Sequence, residues 1–174
     1  FAAVSPAGIS SVILYMALYA VMTLGTFACI LSMRRDSGPV EKIDDLAGLS
    51  QTRPFMAGCL AILMFSLAGI PPMAGFFGKL FVFRAAIDAG LYSLSILGVL
   101  ASVVGAYYYL RIVKIMYLDP PSEDVNEPMP RELAILAGGL TAFTLLFFVY
   151  PAPFIELADT AGAALTASGG ISAR

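Results

Sequence analysis

Four stretches of this chain, Ile9 to Met33, Pro54 to Gly78, Ala89 to Leu110 and Leu133 to Ile155, contain no charged side chain. Each is longer than the roughly 20 residues an α-helix needs to cross a hydrocarbon core about 30 Å thick. Backbone polar groups in lipid must be satisfied within their own segment, so such runs read as helices. Transmembrane strands would be shorter and would alternate apolar with polar residues, which these do not. Composition agrees: 59% of the 174 residues are hydrophobic and 13% charged, against roughly 45–50% and about 25% in soluble domains. The expectation is an all-α integral membrane domain over 1–174. Its four transmembrane segments fall at about 9–33, 54–88, 90–118 and 131–155.

The same composition excludes whole classes. A chain this apolar cannot cover a water-facing surface, which argues against a soluble enzyme. A net charge of −2 provides no basic field for nucleic acid. There is no histidine, and the two cysteines, Cys29 and Cys59, sit inside apolar runs. That leaves too few ligands for a zinc or Cys/His site. P-loop, dinucleotide, HExxH and nucleophile-elbow motifs are absent from the sequence, so no cofactor or metal site is expected in this chain. The opening FAAVSPAG, without an initiator methionine or a signal-peptide n-region, reads as the interior of a longer protein, with a processed N-terminus as the plainer alternative.

The charges gather in two connections. Residues 34–53 carry four basic and four acidic side chains, and VEKIDDLAGL within them has helical spacing that suits a short surface helix. Residues 119–130 hold four prolines and four acids, a composition for a solvated loop. Residues 168–174 read as a flexible tail. Arg34, Arg35, Lys42 and Arg53 lie in the first loop, and Arg111, Lys114 and Arg131 flank the second. The positive-inside rule therefore predicts cytoplasmic loops at 34–53 and 119–130, with the short turn near Asp88 and the C-terminus outside.

The second segment is too long for a simple crossing. A straight helix over 54–88 would run about 50 Å. Midway lies Gly69-Ile70-Pro71-Pro72-Met73-Ala74-Gly75. Two consecutive prolines remove two backbone donors, and Gly69 and Gly75 permit sharp turns. The sequence thus predicts a discontinuous helix, broken near 69–75. Broken helices at membrane depth mark ion and substrate sites. Lys79 follows the break with no acidic residue within four positions. A charge at membrane depth costs at least about 2.5–3.5 kcal/mol, and lysine, unlike arginine, can shed its proton when buried. Those properties suit a proton relay. Snorkelling to the interface is the plainer alternative, and it suits Arg84, with Asp88 four residues on, better than Lys79.

Other polar positions carry weaker signals. Tyr107-Tyr108-Tyr109 could offer hydroxyls to a hydrated path, although tyrosines near a helix end commonly form an interface belt. Gly98, Ser102 and Ala106, with Ala101 and Gly105, make small-residue stripes for close packing. Ser66, Thr23, Thr26, Thr141 and Thr144 could carry water, but hydroxyls more often bond to their own helix.

LYAVMTLGTFACI, FSLAGIPPMAGFFGKLFVFRAAIDAG and GAYYYLRIVKIMYL resemble the antiporter-like membrane subunits of bacterial respiratory complex I, the NADH–quinone oxidoreductase. Within that family the likeness is to the C-terminal part of the subunit N group, and it runs from about Ile9 to Phe154. The resemblance implies a proton-translocating subunit and a larger fold of fourteen helices in two inverted repeats, of which this chain supplies helices 11 to 14. It places Lys79 on the family's helix-12 lysine, the exit-side proton carrier of a half-channel open to the periplasm. Tyr108 becomes a path residue, and Gly69, Pro71, Pro72 and Gly75 form the broken-helix backbone. The implied partners are other membrane-arm subunits, the lipid bilayer, protons and water, in the bacterial inner membrane. FMN, iron–sulfur clusters and quinone would reside on other subunits. A multisubunit cation/proton antiporter and a non-transporting structural subunit are the competing readings.

Overall fold

The computed structural model describes residues 5–35, 38–40, 42–121 and 129–168. The first helix, α1 (Pro6–Leu31), starts where Ser5 accepts a hydrogen bond from the Gly8 N–H at 3.0 Å. Pro6 takes the first helical position, whose N–H would be unpaired in any case. At the other end the Ser32 hydroxyl donates to the Cys29 carbonyl at 2.6 Å.

A short antiparallel ribbon follows, β1 (Arg34–Arg35) with β2 (Gly38–Pro39). Next come a 3-10 turn at Ile43–Leu46 and a one-turn helix, α2 (Leu49–Thr52). The single surface helix expected over VEKIDDLAGL is not formed. Gly48 adopts φ +70°, a left-handed conformation that interrupts a right-handed helix. Its N–H donates to the Ile115 carbonyl at 3.4 Å, and a side chain there would strike Pro121. The chain bends so that this loop packs against the start of the next one.

Residues 54–88 form two helices of 15 residues each, α3 (Pro54–Ala68) and α4 (Ala74–Asp88). Gly69, at φ +88°, closes α3. Its N–H reaches the Ser66 carbonyl at 2.9 Å, and the Ile70 N–H reaches Phe65 at 3.1 Å, the paired bonds of a Schellman end. Pro71 and Pro72 follow, joined by a cis peptide bond. At the end of α4, Gly90 donates to Ile87 at 2.8 Å and Leu91 to Ala86 at 2.9 Å. The chain then reverses into α5 (Tyr92–Leu118).

The fourth segment departs from the helix expected over 131–155. It divides into α6 (Arg131–Leu146) and α7 (Ala152–Ser168). Pro151 has no N–H to continue the ladder and its ring would press on the preceding turn. Aromatic rings pack the bend, Phe154 lying 5.1 Å from Phe143 and 5.6 Å from Phe147 between centroids. The helix also continues past the first charge, because Glu156 and Asp159 are exposed. Six of the seven residues of the expected flexible tail, 169–174, lie outside the described residues.

The unbroken α1 is the axis against which both divided segments lie. Gly25 faces Leu63 of α3 and Leu140 of α6, Gly78 of α4 faces Tyr15 and Leu18, and Gly162 of α7 faces Ser10 and Pro6. Positions rising along α3–α4 and along α6–α7 thus meet positions falling along α1, so both pairs run antiparallel to it. Association of helices in lipid depends on close packing. At Gly25 a Cβ would stand 3.0 Å from Leu63 Cδ1. The α5 helix covers α3 and α4 and leaves Leu94, Leu97, Leu100 and Val104 exposed. Among the described residues, α1 and α5 are the helices that are singly long and apolar enough to cross a membrane.

Candidate functional site

At the junction of α3 and α4 the two helix ends lie side by side. Gly75 comes so close to α3 that a Cβ would fall on the Ser66 carbonyl. The Ser66 side chain is fully buried. Its hydroxyl accepts from the Gly75 N–H at 3.0 Å and donates to Met22 Sδ of α1 at 2.9 Å.

From the next turn of α4, Lys79 reaches back over this junction. Its ammonium donates to the Leu67 and Ala68 carbonyl oxygens, at 2.9 and 3.2 Å. These are among the last four carbonyls of α3, which have no partner inside their helix. The aligned peptide dipoles give a helix C-terminus a partial negative charge of about half an elementary charge. Among the described residues no carboxylate forms a salt bridge with Lys79. The counter-charge that composition fails to supply therefore comes from backbone. Gly69 makes room for the lysine stem, since a Cβ there would stand 3.1 Å from Lys79 Cδ.

Two cavities meet at this side chain. One, of about 250 Å³, is lined by Lys79 with Tyr15, Tyr19, Ser66, Ser102 and Tyr109 among its polar residues. The other, of about 230 Å³, is mostly apolar, with Phe76, Phe83, Val99 and Val103 around Lys79 and Ser102. A larger cavity of about 360 Å³ between α1, α6 and α7 has only hydrocarbon and aromatic lining and offers nothing to a proton.

Gly69, Gly75 and Lys79 thus converge at one point, while Pro71 and Pro72 sit exposed in the connection above it. Tyr108 does not join them. It is 58% exposed, stacked edge-on against Tyr107, and Tyr109 lines the cavity instead. Successive helical residues turn by about 100°, so one tyrosine of a run faces inward and its neighbours do not. Tyr15 and Tyr19, not among the sequence-predicted residues, also line the cavity. Their signal was available, two tyrosines four apart in an apolar run, which places both on one helix face. Thr26 and Thr144 bond to their own helices, at 2.9 and 2.8 Å, whereas Ser66 bonds across two. Arg84 stays exposed and pairs with Asp88 at 3.9 Å.

A predominantly helical membrane protein with a lysine at the junction of two short helices is the class these features define. The family described as NADH:quinone oxidoreductase/Mrp antiporter, TM, matches residues 1–105, and the chain belongs to it. It is 57% identical over 164 residues to NADH-quinone oxidoreductase subunit N of Parvibaculum lavamentivorans, covering 94% of this chain and 34% of that protein. It is 59% identical over 161 residues to subunit N 1 of Rhizobium meliloti, covering 92% of this chain and 33% of that one. The chain therefore spans about a third of the length of the curated relatives it matches. Among solved structures, respiratory complex I from Thermus thermophilus matches with a TM-score of 0.75 at 28% identity, over 85% of this chain and 34% of that one. The Mrp complex from Dietzia shares the fold, with a TM-score of 0.81 at 23% identity over 92% of this chain and 38% of that one.

Proposed function

We propose that this chain forms the periplasm-facing half-channel of a proton-translocating subunit of NADH–quinone oxidoreductase, with Lys79 as the proton carrier. The observation that carries the reading is the Lys79 ammonium on the C-terminal carbonyls of α3, facing a cavity edged by Tyr15, Tyr19 and Tyr109. Lysine has three donors. With two held by Leu67 and Ala68, one is left for exchange with water or a hydroxyl. At about 30 Å³ per water, the cavity has room for several. Tyrosine hydroxyls both donate and accept, so they can order a water chain that passes a proton to and from a neutral amine.

In this reading the chain crosses the membrane four times. The second crossing is the discontinuous α3–α4 and the fourth the bent α6–α7. Loops 34–53 and 119–130 face the cytoplasm, and the C-terminus faces the periplasm. The other membrane-arm subunits are the partners, and redox cofactors reside elsewhere in the complex. The likeness to subunit N proteins at above 50% identity favours this over a cation/proton antiporter, which shares the fold.

The test is Lys79→Met in the full-length protein within its assembled complex, reconstituted in vesicles. Electron transfer from NADH to quinone should persist while protons moved per electron fall. Unchanged proton translocation in a correctly assembled variant would remove Lys79 from the mechanism and leave the structural-subunit reading.

A further inference from the structure

We infer that Ser66 is a positioning residue for Lys79, the clasp that holds the two half-helices in the register at which the ammonium meets the α3 carbonyls. The inference rests on Lys79 carrying the proton. Ser66 is one residue before Leu67 and two before Ala68, and its hydroxyl is bonded to the backbone of α4 four residues before Lys79. The segment that joins the helices covalently, Gly69 to Met73, contains two prolines that donate no hydrogen bond. Besides the Lys79 contacts themselves, a hydrogen-bonded tie is made by Ser66, which satisfies an otherwise orphaned N–H in the first turn of α4. Its own proton goes to Met22, so the unbroken α1 is tied to the same point. The three elements meet there without a second polar layer, since Gly75 has no side chain to interpose. A hydroxyl bonded within its own helix would have no such reach.

The clasp has a consequence for proton affinity. Hydrogen bonds to the charged form of a group favour that form. If α4 drifts from the end of α3, the two carbonyl contacts lengthen and the ammonium loses acceptors that hold its charged form. Among the described residues, the titratable groups facing Lys79 are Tyr15 and Tyr19 from α1 and Tyr109 from α5. The lining part of α3 contributes carbonyls and the Ser66 hydroxyl, and the charged pair on α4, Arg84 and Asp88, lies exposed further along. Replacing Ser66 changes none of these titratable or charged side chains.

The experiment uses the full-length protein in its complex, reconstituted in vesicles, with proton translocation per electron measured across pH. Ser66→Ala should assemble and move the pH profile of translocation toward acid by about one unit, a tenfold change in the proton equilibrium. Ser66→Cys, which keeps a weak donor and acceptor of similar size, should fall between. In a Lys79→Met background Ser66→Ala should cause no further loss of translocation. Should Ser66→Ala fail to assemble, Met22→Leu, which takes away the sulfur acceptor in a side chain of similar volume, is read by the same profile: an acid shift supports the clasp and the parental profile overturns it. An assembled Ser66→Ala with the parental profile overturns the inference. Normal translocation by Lys79→Met alone overturns instead the function on which it rests.

Discussion

Replacing Gly75 with alanine tests the side-by-side junction directly, because two opposing effects can be weighed. Alanine is favoured over glycine within a helix by up to about 1 kcal/mol. Against this, the added methyl would fall on the Ser66 carbonyl and come within 3.1 Å of Met22 Sδ. Overpacking a tight site costs about 1–3 kcal/mol, and here the upper part of that range applies, since the obstructing atom is backbone and cannot rotate away. The net expectation is destabilisation by about 1–2 kcal/mol. Gly58, in the second turn of α3, provides the contrast. A Cβ there meets nothing within 4 Å, so Gly58→Ala should stabilise by about 0.5–1 kcal/mol. The two variants should therefore diverge in sign. Equilibrium unfolding of the full-length protein in mixed micelles, titrated with sodium dodecyl sulfate and followed by far-UV circular dichroism, measures both. A Gly75→Ala protein as stable as the parent would refute the contact between the helix ends.

Gly69→Ala should destabilise by about 1–2 kcal/mol in the same unfolding assay, because φ +88° is strained for a residue with a Cβ and the methyl would crowd Lys79. Tyr109→Phe should slow proton translocation in reconstituted vesicles while Tyr108→Phe leaves it unchanged; equal effects would remove the cavity from the path. A cysteine at Gln51 should react with a membrane-impermeant maleimide only from the cytoplasmic side, and one at Ala89 only from the periplasmic side. The native Cys29 and Cys59 are buried and should contribute little background.

Much of the architecture can be read from where charges are missing. The ends of α3 and α4 follow from Gly69 and the double proline, whose effects on the backbone are local and nearly independent of context. The bend at Pro151 rests on the same chemistry, yet the uncharged run conceals it, since absence of charge reports lipid depth rather than helix continuity. The surface loop shows the limit of helical spacing, because the left-handed Gly48 is settled by contacts with Ile115 and Pro121, more than sixty positions away. Lys79 stands out in the sequence because it is a charge without a nearby acid. Ser66 does not, because a serine bonding across two helices and one bonding within its own look alike until the helices are placed. Which tyrosine lines the cavity is hidden for a related reason: a run of three states that one faces inward without stating which.

The partner of Lys79 has no side chain. Replacing each acidic residue among the described residues in turn should find none whose loss mimics loss of the lysine, because the groups holding the ammonium belong to every residue type alike. What encodes this counter-charge is chain direction and the place where α3 stops. Letting the helix continue would abolish it, so the acceptor is encoded in Gly69, Pro71 and Pro72 rather than in any residue that carries charge.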